Sequence, residues 1–445
     1  MDSDHAERRL AAVVAAIALV WSFGCDLRTP PRPNVLLYVI DTLRADGLGY
    51  HGDPLASTPH IDAFAREGLV FERAYAPSSW TRASMASLLT GSHPSRHGAE
   101  DRSDHLTAEL STLSERLRDA GYATAFITTN PNVGSFFGFD RGFDQMIELY
   151  ARKDEGRVHF SETITKSNLA TDRAIEWLKR APRPFLLVIL TIDPHTPYAP
   201  PISVFKAAAA ALPRGVTLTP RDRLLLLYRS EISLNDHSFG RLIGYLRRTE
   251  VLDDTVVVLT SDHGEEFFEH GEFQHGKTLY EEVLHVPIAI RYPRSSRVAA
   301  GTRIDRPVRT VDIAPTVLDL AGMSPLPRAD GTSLLGAPEG AAEPVYSSLD
   351  LDGVRLEAVI DYPWKLIVDG ESGAQSLYNL AEDPGESESA TGGRGGEYLA
   401  AESRLRSALE RIPRAPDRES ALPDTPAPEI PEEARRTLEA LGYAE

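Results

Sequence analysis

The sequence holds a single cysteine, Cys25, and only four methionines in 445 residues. One cysteine allows no intrachain disulfide and no zinc site of the multi-cysteine kind. Basic residues are in deficit: 47 Lys and Arg stand against 65 Asp and Glu, a net charge of −18. That balance excludes a nucleic-acid partner, because phosphate backbones are held by a basic face. No apolar run reaches the roughly 20 residues of a membrane-spanning helix. What remains is ordinary for a folded chain, 42% hydrophobic and 25% charged. The length suits two or three domains.

The apolar run Leu10 to Trp21 follows Arg8 and Arg9 and precedes Ser22-Phe23-Gly24-Cys25. We read residues 1–25 as an export segment. Its end resembles a bacterial lipobox, which makes Cys25 the expected lipidation point. The mature protein is then exported and tethered to a membrane at the periplasmic or cell-surface side. A cleaved signal or an uncleaved anchor is the alternative. Residues 26–33 contain Pro30, Pro31 and Pro33 and read as a stiff spacer.

Apolar strands alternate with helical patterns from Asn34 onward. Val35 to Ile40, Ala123 to Thr128, Phe185 to Thr191 and Thr255 to Thr260 read as buried strands. Ile61 to Glu67, Leu110 to Ala120, Ala174 to Lys179 and Leu224 to Arg248 read as helices. This order predicts an α/β domain over 34–344 with a mixed, mostly parallel sheet flanked by helices. A small α+β subdomain is expected over 345–390, then a linker and helical tail over 391–445. The tail carries helices at Glu397 to Arg411 and Pro431 to Leu441.

Three acidic or histidine clusters follow apolar strands: Asp41, then Asp193 with His195, then Ser261-Asp262-His263-Gly264-Glu265. In a parallel sheet such strand ends converge on one edge. Any one of these acids alone reads equally as a helix cap or a turn residue. Together they make a divalent-metal site of carboxylates and imidazole.

On these residues the sequence resembles the sulfatase family of the alkaline phosphatase superfamily. The resemblance runs from Asn34 to about Glu386. It is carried by Asp41, by Ser87-Leu88-Leu89-Thr90-Gly91 with Pro94, His97 and Gly98, and by Ser261 to Glu265. His275-Gly276-Lys277-Thr278-Leu279-Tyr280-Glu281-Glu282, Asp312 to Thr316, Leu377 to Leu380 and Asp383 to Glu386 extend it. The resemblance implies an ester hydrolase with one divalent cation, calcium, magnesium, manganese or zinc, held by Asp41, Asp262 and His263. It also implies a nucleophile ten residues before Gly91, where sulfatases carry a cysteine that becomes formylglycine. Here that residue is Thr81. Ala83 and Met85 replace the family's Pro and Arg, and Thr42 replaces its second Asp.

Threonine nucleophiles are familiar in phosphodiesterases and in phosphoglycerol and phosphoethanolamine transferases of this superfamily. A cation on the hydroxyl lowers its pKa and makes it competent. We therefore expect Thr81 to attack and to complete the metal ligands. Lys277 and His195 are expected to neutralise the transferring group, with Asn130 and Arg82 contacting substrate and His97 supporting catalysis. Asp193 and His275, with His195, are the candidates for a second metal site. Trp80 either lines the pocket or packs. The substrate reads as a small-molecule, glycan or lipid-headgroup ester of sulfate or phosphate. A transferase is the rival enzyme reading, and a non-catalytic binding protein derived from a sulfatase is the rival from another class.

Overall fold

The stretch Asn34–Ile40 reads NVLLYVI, and all seven residues are buried. Such a run has no solvent face, so it must lie in the middle of a sheet covered on both sides. The computed structural model describes residues 32–150, 166–294, 299–335, 343–392, 395–412 and 430–441. The export segment and Cys25 lie outside them.

The strands in chain order are β1 (Asn34–Ile40), β2 (Leu69–Tyr75), β3 (Ala123–Thr128), β4 (Gln145–Glu148), β5 (Phe185–Thr191) and β6 (Thr255–Ser261). They continue with β7 (Glu266–Phe267), β8 (Phe273–Gln274), β9 (His285–Arg291) and β10 (Thr302–Arg309). Eight of them form one sheet in the order β10-β2-β9-β6-β1-β5-β3-β4. The run from β6 to β4 is parallel, and β9 lies antiparallel to both β6 and β2. β7 and β8 form a separate two-stranded ribbon.

Alternate residues of β1 enter opposite apolar layers, as a period of two requires. Val35, Leu37 and Val39 pack with Met85, Leu88 and Leu89 of helix Thr81–Thr90. Leu36, Tyr38 and Ile40 pack with Ile61 and Phe64 of Pro59–Glu67 and with Tyr228, Ile232 and Phe239 of Pro220–Arg248. Each such side chain contributes about 1.5–3 kcal/mol when fully buried. Five helices of this domain are labelled α1 (Pro59–Glu67), α2 (Thr81–Thr90), α3 (Leu113–Asp119), α4 (Lys166–Leu178) and α5 (Pro220–Arg248); Ile202–Ala210 and Ile313–Leu320 are also helical.

The chain then forms a four-stranded antiparallel sheet from β11 (Val345–Leu351), β12 (Val354–Asp361), β13 (Trp364–Asp369) and β14 (Gln375–Asn379). Helix α6 (Gly396–Glu410) covers one face, packing Ala401, Leu405 and Leu409 against Val359, Trp364 and Leu377. The last helix, α7 (Glu432–Ala440), returns to the large domain, where Leu438 shares an apolar cluster with Trp80 and Ala83.

Three helices start clearly elsewhere than the sequence reading placed them, α5 at Pro220 rather than Leu224, behind a Thr219–Asp222 capping box. α3 starts at Leu113 rather than Leu110, because Thr112 and Glu115 form a reciprocal capping box there. α4 begins at Lys166, well before Ala174.

Candidate active site

Ile40 pairs with both Thr191 and Ser261, so β1, β5 and β6 end side by side. The residues that follow them emerge at one edge of the sheet. Ser261 ties two of these ends together: its Oγ lies 2.6 Å from both the Ile40 and His263 carbonyls and accepts the Leu43 N–H at 2.9 Å. Thr42 sits between them at φ +55°, a left-handed conformation unusual for a β-branched residue. Its N–H donates to Asp262 Oδ1 and its carbonyl accepts from Tyr228, which hold the bend in place.

Asp41, Asp262 and His263 are all buried, and one donor atom of each lies within 4.8 Å of the others. Asp41 Oδ2 accepts the Asn130 amide at 2.5 Å, whereas its Oδ1 has no hydrogen-bond partner. Asp262 Oδ1 accepts the His263 N–H, and its Oδ2 has none. Two buried carboxylate oxygens without donors are costly unless a cation takes them. Burial, then the charge of Asp262, pushes the Asp41 carboxyl well above the usual carboxylate range. His263 Nδ1 donates to the Gly264 carbonyl at 2.9 Å. This assigns the proton to Nδ1 and leaves Nε2 as a lone-pair donor toward the cluster. Nε2 lies 3.5 Å from Asp262 Oδ2 and 3.9 Å from Asp41 Oδ1. Two carboxylates and a neutral imidazole fit a divalent cation of the oxygen-preferring or borderline type.

Thr81 opens α2, and its Oγ lies 3.1 Å from His263 Nε2. The hydroxyl therefore lies beside the cluster, within hydrogen-bond distance of its imidazole. The first backbone N–H groups of α2 point toward the same end, adding positive potential for an anion.

Beside this centre lie two further imidazoles, His275 and His195. The His275 ring is 4.5 Å from His263 and 4.9 Å from His195, centroid to centroid. His275 Nδ1 is 2.8 Å from Glu265 Oε1, and the other Glu265 oxygen accepts the Tyr198 hydroxyl at 2.8 Å. Burial holds His275 well below the ordinary histidine range and His195 down to about 3, so both rings are neutral. A small cavity of about 150 Å³ opens onto them, lined also by Trp80, Arg102, Lys277 and Leu351.

The sulfatase family model matches residues 33–323, about two thirds of the chain. The chain belongs to the sulfatase family. Its reaction class is ester-bond hydrolysis, within the alkaline phosphatase superfamily. A second model, N-sulphoglucosamine sulphohydrolase C-terminal, matches residues 268–414. Among curated relatives, an N-acetylglucosamine-6-O-sulfatase of Bacteroides thetaiotaomicron is 24% identical over 416 residues, covering 72% of this chain and 73% of its own. Among solved structures, one in complex with its substrate D-glucosamine-2-N,6-O-disulfate has a TM-score of 0.74 and 22% identity, covering 85% and 97%. A phosphonate monoester hydrolase of Agrobacterium radiobacter has a TM-score of 0.70 and 22% identity, covering 85% and 96%.

Within this sulfatase fold, Asp41, Asp262, His263 and Thr81 come together, and His195 stands beside them. Other expected site residues are placed differently. Lys277 lies at the rim, its side chain 47% exposed and paired with Glu272 at 3.1 Å; His275, two residues earlier, occupies the inner position. Asp193 does not join His195 and His275 in a second metal site. Its carboxylate instead accepts the Ser167 N–H at the start of α4.

Arg82 does not face substrate either. It points away from the cavity, donates to the carbonyls of Asp101, Arg102, Asp104 and Asn132, and lies 3.3 Å over the Phe137 ring. Asn130 contacts Asp41 rather than substrate. His97 is a structural residue: the Ala99 N–H donates to Nδ1, so Nε2 carries the proton and donates to Ser87 Oγ at 2.9 Å. Ser87 is six residues beyond Thr81, roughly 9 Å along the helix.

Glu265 and Tyr198 are site residues that the sequence reading missed as actors, although both lie inside the segments it singled out. A second group, Glu266, His270 and Glu282, also brings its donors within 4.8 Å. There the acids are satisfied by protein: Glu266 accepts two backbone N–H groups and the Thr278 hydroxyl, and Glu282 pairs with His270 at 2.6 Å.

Proposed function

We propose that this sulfatase-family protein is a metal-dependent hydrolase of phosphate or sulfate esters that uses Thr81 as its nucleophile. The observation that carries the reading is the Thr81 hydroxyl, 3.1 Å from His263 Nε2 at the edge of the Asp41–Asp262–His263 group. A divalent cation held by Asp41, Asp262, His263 and Thr81 would lower the hydroxyl pKa and offset charge on the transferring group.

Asn130 keeps Asp41 oriented, and the Gly264 carbonyl keeps His263 in the tautomer that presents Nε2. Thr81 Oγ attacks the phosphorus or sulfur in line as its proton passes to a neighbouring neutral imidazole, the bond to the ester oxygen breaks and the alcohol leaves with a proton, and the threonine carries the phosphoryl or sulfuryl group. Water then attacks the same centre and frees the threonine. A formylglycine hydrate expels sulfate by re-forming its aldehyde; a threonine ester has no such exit. That difference favours phosphate esters, whose threonine adducts water can attack. His195 and His275, neutral and beside the centre, each turn Nδ1 to an oxygen acceptor, the Thr196 carbonyl and the Glu265 carboxylate, so each presents an Nε2 lone pair suited to taking up a proton. Lys277 at the rim attracts the anion and guides it inward.

The test uses the protein and Thr81→Ala against p-nitrophenyl phosphate, p-nitrophenyl sulfate and bis-p-nitrophenyl phosphate, with calcium, magnesium, manganese or zinc. We expect cation-dependent cleavage and a loss of at least ~10³-fold in kcat/KM for the variant. Cleavage unchanged by the substitution would refute the nucleophile. No cleavage of any ester by the folded, cation-loaded protein would favour the binding-protein reading. Release of a transferred group to an added alcohol in preference to water would favour the transferase.

We further propose that the chain is exported and anchored through Cys25, with a small-molecule, glycan or lipid-headgroup ester as substrate. Among the described residues no helix is long and apolar enough to cross a membrane. Cys25→Ser should move the protein from the membrane fraction to the soluble one; unchanged membrane retention would contradict the anchor.

A further inference from the structure

The last of the described helices, α7, is followed directly by Leu441, which lines the mouth of the cavity. α7 lies beyond both matched segments, which end at residues 323 and 414. Its apolar positions Ala434, Leu438 and Leu441 recur at i, i+4 and i+7 and are all buried. Leu438 and Leu441 pack in the cluster that holds Trp80 and Ala83, the residues on either side of Thr81 and Arg82. The helix also contacts the turn Pro131–Val133, directly after the Asn130 that orients Asp41. Leu441 lines the same cavity as His195, His275 and Lys277, with Leu351 and Asp352 from the β11–β12 turn.

We propose that α7 is the specificity wall of this site: with Leu441 at the mouth it admits compact anionic esters and excludes bulky ones. The inference rests on the hydrolase reading above. A cavity of about 150 Å³ is small beside the roughly 300–1,000 Å³ of ordinary ligand pockets. It takes a tetrahedral phosphate or sulfate and a few further heavy atoms. A chain-internal ester of a polymer has substituents on both sides and collides with this wall. Arg102 and Lys277 line the mouth, each countered by a carboxylate, Asp352 and Glu272 respectively. Arg102 and Asp352 are themselves paired at 2.6 Å, which joins the large domain to the β11–β12 turn. The wall is thus apolar on the α7 side and ionic on the turn side.

The experiment compares the wild-type chain, a chain ending after Ile430, and Leu441→Ala, all cation-loaded. Two readouts are taken. One is the rate at which diethyl pyrocarbonate modifies His195 and His275, read by peptide mass spectrometry, which needs no turnover. The other is the ratio of kcat/KM for 2-naphthyl phosphate to that for ethyl phosphate. We expect the truncation to raise both the modification rate and the ratio by roughly tenfold, and Leu441→Ala to raise them severalfold in the same direction. A helix with only a structural role would lower both esters alike and leave the ratio fixed; that result overturns the wall. Leu441→Ala keeps Ala434 and Leu438 in place, so it decides the matter if the truncated chain does not fold. Faster histidine modification in variants that, like the wild type, cleave no ester would support the wall and overturn the hydrolase reading instead.

Discussion

Asp41 Oδ1 and Asp262 Oδ2 are buried, without donors, and close to one another's side chains. At the scale of single residues this is the strongest indication that the site is built for a cation. Uncompensated charge in a buried place costs stability, and a bound cation reverses the cost. A ligand that binds only the folded state stabilises it, by about 2.7 kcal/mol at 100 times its dissociation constant. Thermal melts should therefore show the wild type stabilised by the preferred cation. Asp41→Asn should melt higher than wild type without cation and gain nothing from it. Equal cation-induced shifts in the two proteins would contradict the ligand assignment. Thr42 belongs to the same account: held at φ +55° by Asp262 and Tyr228, it stores strain of about 1–3 kcal/mol where the carboxylates meet.

At the scale of elements, α2 is the part that must be held still. Arg82 does this by donating to carbonyls in the segments 101–104 and 131–133 while stacking on Phe137. Burial pushes its guanidinium down to about 9, which leaves it charged at neutral pH. Lysine cannot reproduce the planar fork. Arg82→Lys should cost at least about 2 kcal/mol in urea unfolding, through buried carbonyls left without donors, and should lower kcat with KM little changed. A raised KM with unaltered stability would restore the substrate-contact role expected from the sequence.

The elements also show how far sequence carried. The apolar runs of β1, β5 and β6 were readable because burial on both faces leaves no polar alternation to confuse. β2 and β10 were not: LVFERAY and TRIDRPVR carry charges on partly exposed positions of an outer strand pair. Asp41, Asp262 and His263 were legible because strand ends in a parallel sheet converge. Arg82, Asn130, Asp193 and His97 are the right residue types near the site, yet each is committed to a backbone or neighbouring side chain, and direction is what a sequence does not display. Lys277 and His275 show the same limit, since two residues of spacing in a loop decide which one points inward.

At the scale of the whole molecule, several histidines are kept neutral by burial. His51, His97 and His195 are pushed down to about 3 and His93 to about 4, burial being the largest cause each time. In the unfolded chain they titrate near 6.5. Between these values the unfolded state takes up protons that the folded state refuses, so acid favours unfolding. Stability should be complete above about pH 6.5 and fall steadily as the pH drops toward 3–4. His97 lies outside the cation cluster, so His97→Gln isolates the effect. Its urea midpoint should change less between pH 7.5 and pH 5 than that of the wild type, and an equal or steeper change would contradict the burial argument. The small sheet, α6 and α7 serve the same molecule-wide end. Leu351 and Asp352 of the small sheet and Leu441 after α7 line the mouth beside His195 and His275, which is where the proposed wall would set substrate choice.

The central claim is that Thr81 becomes esterified during turnover. The most direct measurement mixes cation-loaded protein with p-nitrophenyl phosphate or p-nitrophenyl sulfate, quenches with acid in the first turnover, and maps the adduct by peptide mass spectrometry. The account predicts a phosphoryl or sulfuryl group on Thr81 that forms with release of p-nitrophenol and decays with hydrolysis. Turnover with no adduct on Thr81, or with the adduct on another residue, would contradict it.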